Sequence, residues 1–136
     1  IIDGMVVSVA GEQYVIPTLS VVESLRPAPE ELSTVLGKGE MISVRGQLLP
    51  LYRLSRFFGI RGAEEDPTQA LVIIVGDGNM KAGLMVDAIV GQQQTVIKSL
   101  GSILAEITGI SGGTIMSDGR VGLILDVAGI MRLATA

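Results

Sequence analysis

The sequence lacks several residues on which enzyme chemistry most often depends. Its 136 residues include no histidine and no cysteine, and only 3% are aromatic. Without histidine, the chain cannot supply a phospho-accepting imidazole, a Ser–His pair or the usual ligands of zinc. Without cysteine, it cannot form disulfides or thiolate metal sites, which fits a reducing compartment. We therefore predict no catalytic site, no metal site and no cofactor in this chain.

Charge and hydropathy exclude two further kinds of surface. The net charge is −4, whereas a nucleic-acid interface normally needs a basic face. No window of about 18 uninterrupted apolar residues occurs, so no segment is predicted to span a membrane. A cytoplasmic location is expected on a separate ground, because the chain has no cysteine. Hydrophobic residues still make up 48% of the chain, and the scarcity of aromatics predicts an aliphatic core. The Val and Ile content favours strands over helices.

The length predicts a single domain over residues 1–136, or two small lobes that share a core. The chain begins with the apolar, strand-like pair Ile1-Ile2 and has no initiating methionine. These two features predict a fragment of a longer protein, cut just before a strand.

Four pairs of apolar segments are predicted to form β-hairpins. Each pair is separated by a short tip that contains glycine, and Gly and Asp provide the positive φ that tight reversals require. The pairs are residues 5–9 with 14–16, 41–44 with 48–52, 71–75 with 83–86, and 114–116 with 121–125. Short strands with glycine at their turns indicate an all-β barrel or sandwich.

Helices are predicted to be few and short. Ser20 and Glu23 have the spacing of a capping box. Residues 53–58 can form about one and a half turns, ended by the glycine that follows. Asp126 can cap a helix over residues 127–133 at the C-terminal end of the chain.

Two segments are predicted to be loops. Residues 27–31 form a rigid acidic connector, because two prolines restrict the backbone there. Residues 59–68 combine glycine, proline and several charges, and are the predicted joint between two lobes.

Three consecutive amides interrupt an otherwise apolar stretch. One apolar strand is predicted to end near Gly91 and a second to cover residues 95–97, with Gln92, Gln93 and Gln94 between them. Amide side chains donate and accept hydrogen bonds, but they do not titrate near neutral pH and they bind hard metals poorly. The stretch is therefore predicted to serve contacts rather than chemistry.

Four motifs resemble functional sites without having the partners that such sites need. Glu64-Glu65-Asp66 lacks the spaced ligands of a calcium loop and is predicted to be a solvated turn. Asp118 lacks the second carboxylate of an aspartic protease and is predicted to occupy a hairpin tip. Gly109-Ile-Ser-Gly-Gly113 leads into a β-like run rather than a helix, so phosphate binding is not expected. Thr95 and Lys98 lie on opposite faces of a strand and cannot form a nucleophile–base pair.

The tip Arg45-Gly46 precedes the apolar run Leu48-Leu49-Pro50-Leu51. Pro50 cannot donate to a sheet ladder, so it predicts an edge strand or a bulge. An apolar edge strand must be covered by the protein itself or used by a partner. Both alternatives are open at this point.

Three segments together resemble the CheW-like domain of bacterial chemotaxis. They occur in the family's order and cover nearly the whole chain, and they are Val44-Arg-Gly-Gln-Leu-Leu-Pro-Leu-Tyr-Arg-Leu54, Ala82-Gly-Leu-Met-Val-Asp-Ala-Ile-Val-Gly91 and Ser117-Asp-Gly-Arg-Val-Gly-Leu-Ile-Leu-Asp126. Each motif alone is loose, but three in order at matching spacing are specific.

The family has two branches, the free-standing CheW adaptor and the regulatory domain that ends the chemotaxis histidine kinase CheA. The segment Gln92-Gln-Gln-Thr-Val-Ile-Lys98 resembles the kinase branch. Adaptors tend to have asparagine where this chain has Ser43, and Asp-Leu-Arg where it has Arg53-Leu54-Ser55. These departures favour the kinase branch.

The resemblance implies two packed SH3-like β-barrel lobes with a few short helices, including one at the C-terminus. It also implies a non-catalytic regulatory and scaffold domain that docks the CheW adaptor and the cytoplasmic tip of chemoreceptors. Such a domain would be recruited to membrane-associated receptor arrays and would couple receptor state to kinase activity in two-component signal transduction. ATP-dependent autophosphorylation and its catalytic residues would belong to the rest of the CheA kinase.

The second hairpin is where we expect the partner contact. Leu48, Leu49, Leu51 and Tyr52 are expected near an adaptor or receptor surface, with Arg45 on its polar rim. Which side chains face outward depends on the fold.

Three alternative readings differ in class. A free-standing CheW-type adaptor would have the same fold with no kinase attached, and the full gene length separates the two. A small-ligand-binding β-barrel would need a sizeable apolar pocket with converging polar groups. An enzyme has little support, because histidine and cysteine are absent and no carboxylates pair.

Overall fold

The computed structural model describes residues 1–96 and 108–134, and most of these residues lie in strands of two sheets. The strands are β1 (Ile2–Val9), β2 (Glu12–Pro17), β3 (Val21–Leu25), β4 (Leu32–Val35), β5 (Gly39–Val44), β6 (Gln47–Arg53), β7 (Leu71–Asp77), β8 (Met80–Val86), β9 (Ala88–Thr95), β10 (Ile110–Ile115) and β11 (Val121–Leu125). The other described elements are helices α1 (Leu54–Phe57) and α2 (Val127–Ala134) and the 3₁₀ turns Thr18–Ser20 and Pro29–Glu31.

The strands form two SH3-like lobes, which confirms the predicted fold class. The first lobe contains a five-stranded sheet in the order β10-β11-β2-β1-β9, and the second a six-stranded sheet in the order β3-β7-β8-β6-β5-β4. The pairs β11–β2 and β6–β8 are parallel, and the other neighbours are antiparallel. The side-chain amide of Gln93 on β9 donates to the carbonyl of Ile115 on β10 at 3.4 Å. The two edges of the first sheet therefore approach each other, as barrel closure requires.

The four predicted hairpins are confirmed as β1–β2, β5–β6, β7–β8 and β10–β11. Two of them reverse through a residue pair in which both φ angles are positive. These pairs are Ala10 (51°) with Gly11 (82°), and Arg45 (50°) with Gly46 (78°). Two positive φ values define the type I′ turn, whose twist matches that of the flanking strands.

Buried side chains form three clusters, and the largest lies between the lobes. It joins Val7 and Ile16 of the first sheet to Ile73 and Leu84 of the second, with Ile130 of α2 beside them. A second cluster fills the second lobe and includes Ile42, Leu49, Leu51, Val72 and Met85. A third lies inside the first lobe and consists of Val6, Val15, Met116 and Ile124. The clusters are mainly aliphatic, as the composition predicts.

Both helices predicted near residues 53–58 and 127–133 are confirmed. Helix α1 ends at Phe57, and Gly59, whose φ is 67°, follows its C-cap residue Phe58. Ahead of α2, the Asp126 carboxylate accepts the Gly129 backbone N–H at 3.1 Å. Val127 and Met131 of α2 are buried against the cluster between the lobes.

The helix predicted after Ser20 is wrong. The chain makes a 3₁₀ turn over Thr18–Ser20 and then enters strand β3 at Val21. Val21 and Val22 are β-branched and favour strands, and β3 gains a full antiparallel partner in β7. Pairing with a distant strand therefore outweighs the local capping signal.

Two predictions about strand edges are also corrected. The three glutamines do not separate two strands, because β9 continues through them and pairs with β1 from Ile2↔Thr95 onward. Strand β6 is not an edge, because it lies between β5 and β8. Pro50 opposes Met41 of β5, and the ladder to β8 begins one residue later. The predicted residues Ile97 and Lys98 lie outside the described residues.

The chain passes from the first sheet to the second between β2 and β3, and returns between β8 and β9. Residues 59–68 connect α1 to β7. A joint between lobes near 59–68 stays a prediction. No helix among the described residues has the length and apolar character that a membrane crossing needs.

Candidate functional site

The β5–β6 turn carries an arginine in a backbone conformation that few non-glycine residues adopt. Arg45 has a φ of 50°. Its guanidinium reaches strand β3 and pairs with both carboxylate oxygens of Glu23, Nη1 to Oε2 at 2.5 Å and Nη2 to Oε1 at 3.1 Å. The arginine side chain is 78% exposed, so the pair adds only about 0–1 kcal/mol to stability. Its main effect is to fix the turn against β3.

The structure separates the five predicted partner residues into accessible and buried side chains. Leu48 is 51% exposed, and Arg45 lies at the exposed turn. Leu49 and Leu51 are 4% and 5% exposed and belong to the core of the second lobe. Tyr52 is half-buried against the cluster between the lobes, and this burial raises the pKa of its phenol. A partner contact through all five side chains stays a prediction. Arg45 and Leu48 are exposed and can meet a partner directly, whereas Leu49 and Leu51 would first have to leave the core.

A cavity of about 130 Å³ opens beside this turn, and we call it the mouth cavity. Its lining includes the aliphatic side chains of Val22, Val44, Leu49 and Ile74, the Arg45–Glu23 pair and Lys81. Leu49 and Ile74 are buried, whereas Val22, Arg45 and Lys81 are exposed and therefore form the rim. The cavity thus joins an apolar interior to a charged opening.

A second ion pair holds the beginning of β5 to the end of β6. Arg53 Nε and Nη2 donate to Glu40 Oε1 and Oε2 at 2.8 and 2.9 Å, and the arginine side chain is only 12% exposed. Arg53 Nη1 also donates to the carbonyl of Glu65 at 2.6 Å, which ties down the 59–68 loop. The bond from Arg53 holds the pKa of Glu40 below its usual range and raises the pKa of the guanidinium. This arrangement is structural, because every group in it has a partner.

A surface groove of about 500 Å³ runs beside α1 and the loop that follows it. Its lining residues are Ser55, Arg56, Gly59, Ile60, Arg61, Gly62, Ala63 and Glu65. Small-ligand sites are mostly apolar, whereas this groove is lined largely by charged residues, serine and glycine. The groove therefore does not provide the apolar pocket that a small-ligand barrel would need.

Asp87 joins three segments, and sequence reasoning missed it. Its Oδ2 accepts the Ala10 N–H at 2.8 Å, its Oδ1 accepts the Glu64 N–H at 2.9 Å, and its own N–H donates to the Ser8 carbonyl at 2.9 Å. The carboxylate thus holds the β1–β2 turn and the 59–68 loop to the crossing between β8 and β9. The one signal in the sequence is a single aspartate between two apolar strands.

The other polar motifs have structural roles in the described residues. Asp66 Oδ1 accepts both the N–H and the hydroxyl of Thr68, at 2.9 and 2.7 Å, and these bonds lower the pKa of Asp66. Asp118 Oδ1 accepts the Arg120 N–H at 3.0 Å in the β10–β11 turn. Residues 1–96 and 108–134 contain no group of three side chains placed to hold a metal ion.

Comparison with known proteins identifies the relatives of this chain. A family model described as the CheW-like domain matches residues 3–135. The chemotaxis protein CheA of Salmonella typhimurium is 41% identical over 133 residues, which cover 98% of this chain and 20% of the relative. The sensor histidine kinase CheAY of Helicobacter pylori is 40% identical over 134 residues, which cover 98% of this chain and 17% of the relative. The chain therefore spans about a fifth of the length of these relatives.

A solved structure shares the fold. The crystal structure of the scaffolding protein TtCheW from Thermoanaerobacter tengcongensis matches with a TM-score of 0.70 and covers 92% of this chain and 88% of its own. The two sequences are 23% identical, so this match supports the fold alone.

Proposed function

The chain belongs to the CheW-like domain family, and we propose that it is the regulatory domain of a chemotaxis histidine kinase. The observation that carries the proposal is the asymmetry of the sequence match. Identity of 41% extends over 98% of this chain but over only 20% of the related CheA protein. In this proposal, a segment of that size is one module of a longer kinase.

The proposed role of this module is docking rather than catalysis. It binds the CheW adaptor and the cytoplasmic tip of a chemoreceptor, and so recruits the rest of the kinase to membrane-associated arrays from the cytoplasm. Autophosphorylation with ATP is carried out by other parts of the kinase. The absence of histidine from the chain agrees with this division of labour.

The shared core supports a mechanical part in signalling. The largest buried cluster includes side chains of both sheets and of α2, so the two lobes pack through one continuous apolar layer. Closely packed interiors transmit displacement rather than absorb it. If receptor and adaptor bind two kinase arrangements unequally, a typical coupling of about 1–3 kcal/mol shifts the kinase equilibrium up to about a hundredfold.

The proposed adaptor surface is the β5–β6 hairpin around Arg45 and Leu48. Leu48 is half exposed on the outer face, and the neighbouring leucines on the inner face keep the strand rigid from behind. Rigid strands that present an apolar side chain and a charged rim are typical of protein interfaces.

Titration calorimetry of this domain with the CheW adaptor of the same organism tests the proposal. We expect saturable binding with a negative heat-capacity change, because apolar surface is buried. Leu48→Asp is expected to weaken binding by about tenfold or more without lowering the melting temperature. Leu36→Asp is the matched control, because Leu36 is also a leucine of the second lobe and is fully exposed.

Absence of wild-type binding to the adaptor and to a receptor-tip fragment, with the domain folded, would overturn the docking role. Deleting residues 3–135 from the full kinase provides a second readout. We expect autophosphorylation to persist and receptor control of its rate to be lost.

A second candidate is a free-standing CheW-type adaptor. The family model that matches residues 3–135 describes the CheW-like domain, which the free adaptor and the kinase branch share. Sequencing the gene upstream of Ile1 separates the candidates, because a kinase requires several hundred preceding codons.

A further inference from the structure

We propose that the mouth cavity receives one branched aliphatic side chain of the docking adaptor, next to an adaptor carboxylate that pairs with Lys81. The inference rests on the proposed function, because it specifies the chemistry of the adaptor surface. It adds a second contact on the same lobe, beside the exposed Leu48.

The size and lining of the mouth cavity fit a single aliphatic side chain. Its volume of about 130 Å³ exceeds the roughly 30 Å³ of a water molecule but falls below the roughly 300 Å³ at which small-molecule sites begin. Val44, Leu49 and Ile74 supply an aliphatic wall. Of the polar lining residues, Arg45, Gln47 and Lys81 are exposed and lie at the opening. Water at the inner aliphatic wall therefore lacks the two or more polar partners that it needs. A partner side chain is the occupant that gains most from this wall.

A half-exposed apolar side chain lies at the opening. Val22 lines the cavity and is 48% exposed. Its side chain lies beside that of Lys81, because the Cβ position of Gly76 is 3.6 Å from Val22 Cγ2 and 3.9 Å from Lys81 Cγ. A partner seated on the cavity therefore also covers Val22 and meets Lys81 at the rim.

The charge at the rim indicates which polar group of the partner lies beside the inserted side chain. Both oxygens of Glu23 already bind Arg45. Lys81 is exposed, and no carboxylate of the described residues lies within ion-pair distance of it. The rim consequently presents one uncompensated positive charge, in a chain whose net charge is −4. A partner carboxylate beside the inserted side chain complements that charge.

The strained turn gives the cavity a fixed shape. Arg45 holds a φ of 50°, at a position where glycine would fit without strain. Its guanidinium spans the opening to Glu23 and keeps the β5–β6 turn at a set distance from β3. The positive φ belongs to the type I′ turn, so the backbone of the turn as well as this ion pair sets its shape. A preformed wall lowers the ordering cost of docking.

Two variants of this chain and two matched controls test the proposal by titration with the purified CheW adaptor of the same organism. Val22→Trp places a large side chain over the opening and is expected to weaken binding by about tenfold or more. Val90→Trp is its control, because Val90 is also a half-exposed valine at a strand bulge but lies on the first lobe. Lys81→Glu is expected to weaken binding and to reduce its salt dependence. Lys38→Glu, at an exposed turn of the same lobe, is expected to leave both unchanged.

The outcomes separate this inference from the function on which it rests. If the wild-type chain does not bind the adaptor, the proposed function fails and the inference fails with it. If wild-type binds but Val22→Trp and Lys81→Glu bind equally well, only the mouth-cavity contact is overturned. It is also overturned if Val90→Trp weakens binding as much as Val22→Trp, or if the two variants abolish self-association of this chain instead of adaptor binding. Should Val22→Trp fail to fold, the comparison of Lys81→Glu with Lys38→Glu decides.

Discussion

At the scale of single residues, Arg53 is the least exposed member of the ion pairs found in the described chain. Its guanidinium meets both oxygens of Glu40 and also the carbonyl of Glu65. Charged, two-pronged bonds of this kind are stronger than neutral hydrogen bonds and have fixed directions. One side chain thereby ties β5, β6 and the 59–68 loop together. The exposed Arg45–Glu23 pair has similar geometry but lies in solvent, where screening removes most of its energy.

This difference predicts a pH dependence of stability. The pKa of Glu40 in the folded protein lies below its ordinary value of 4.5. Its contribution is therefore present above about pH 4.5 and is lost as the pH falls through the folded-state pKa. We expect Glu40→Gln to lower the free energy of unfolding at neutral pH by about 1 kcal/mol and to reduce the further loss at acid pH.

Urea unfolding of both proteins at neutral and acid pH measures the effect of Glu40→Gln. Glu23→Gln is the control, and its effect should stay within about 0.5 kcal/mol because its partner is exposed. If both variants lost the same free energy of unfolding, the difference in exposure would not determine how much each ion pair contributes to stability.

The burial of the β6 leucines and the hydrogen bonds of Asp87 could not be predicted from the sequence. Strand alternation predicts that Leu49 and Leu51 share a face and that Leu48 lies on the other. Which face is buried depends on β7 and β8, whose Val72 and Met85 pack in the same cluster. That information lies more than twenty residues away along the chain. The N–H groups that donate to Asp87 belong to Ala10 and Glu64, which are 77 and 23 residues away, so no local pattern could predict its role.

At the scale of elements, hairpins were predictable because their turns are encoded locally. A type I′ turn needs two positive φ angles, and a glycine at its second position is visible in the sequence. The strands β3 and β4 and the glutamine half of β9 were missed for the opposite reason. Their polar or short sequences become strands only through pairing with β7, β5 and β1. The local helix signal at Ser20 failed against the same non-local pairing.

The β5–β6 turn provides a test of backbone strain separate from packing. Gly46 has a φ of 78°, and an added Cβ would meet no atom within 4 Å. We expect Gly46→Ala to lower the free energy of unfolding by about 1–2 kcal/mol through strain alone. Gly91→Ala is the control, because a Cβ added at Gly91 would also meet no atom within 4 Å, while the φ of Gly91 is not in the positive region. A chemical denaturation midpoint for each variant gives the comparison, and an unaffected Gly46→Ala would contradict the turn conformation.

At the scale of the whole molecule, the position of the largest core decides how the lobes behave. Side chains of both sheets and of α2 meet in one cluster, whereas each lobe keeps only a smaller cluster of its own. Separating the lobes would expose the largest apolar surface in the described chain. Because burial of apolar surface is the main favourable term in folding, neither lobe is expected to persist without the other.

The two tyrosines make this expectation measurable, since the chain has no tryptophan and one tyrosine lies on each lobe. Tyr14 is on β2, stacked on Phe58 with ring centroids 5.4 Å apart, and Tyr52 is on β6. The variant Tyr14→Phe keeps Tyr52 as the fluorescent reporter of the second lobe. The variant Tyr52→Phe keeps Tyr14 as the reporter of the first lobe. We expect each reporter to unfold at the same urea concentration as the far-UV circular dichroism of its own variant, because the transition is cooperative.

Adding Ile73→Val to each single-tyrosine protein sharpens this test. Ile73 is fully buried between the lobes, so its truncation should cost about 0.5–1.5 kcal/mol. Both reporters should move to lower urea by the same amount, because a shared core stabilises both lobes. A shift confined to one tyrosine, or a reporter that departs from the circular dichroism curve, would mean that the lobes unfold separately. The proposal that the domain transmits displacement as one rigid body would then fail, because the contact between the lobes would open independently of each lobe.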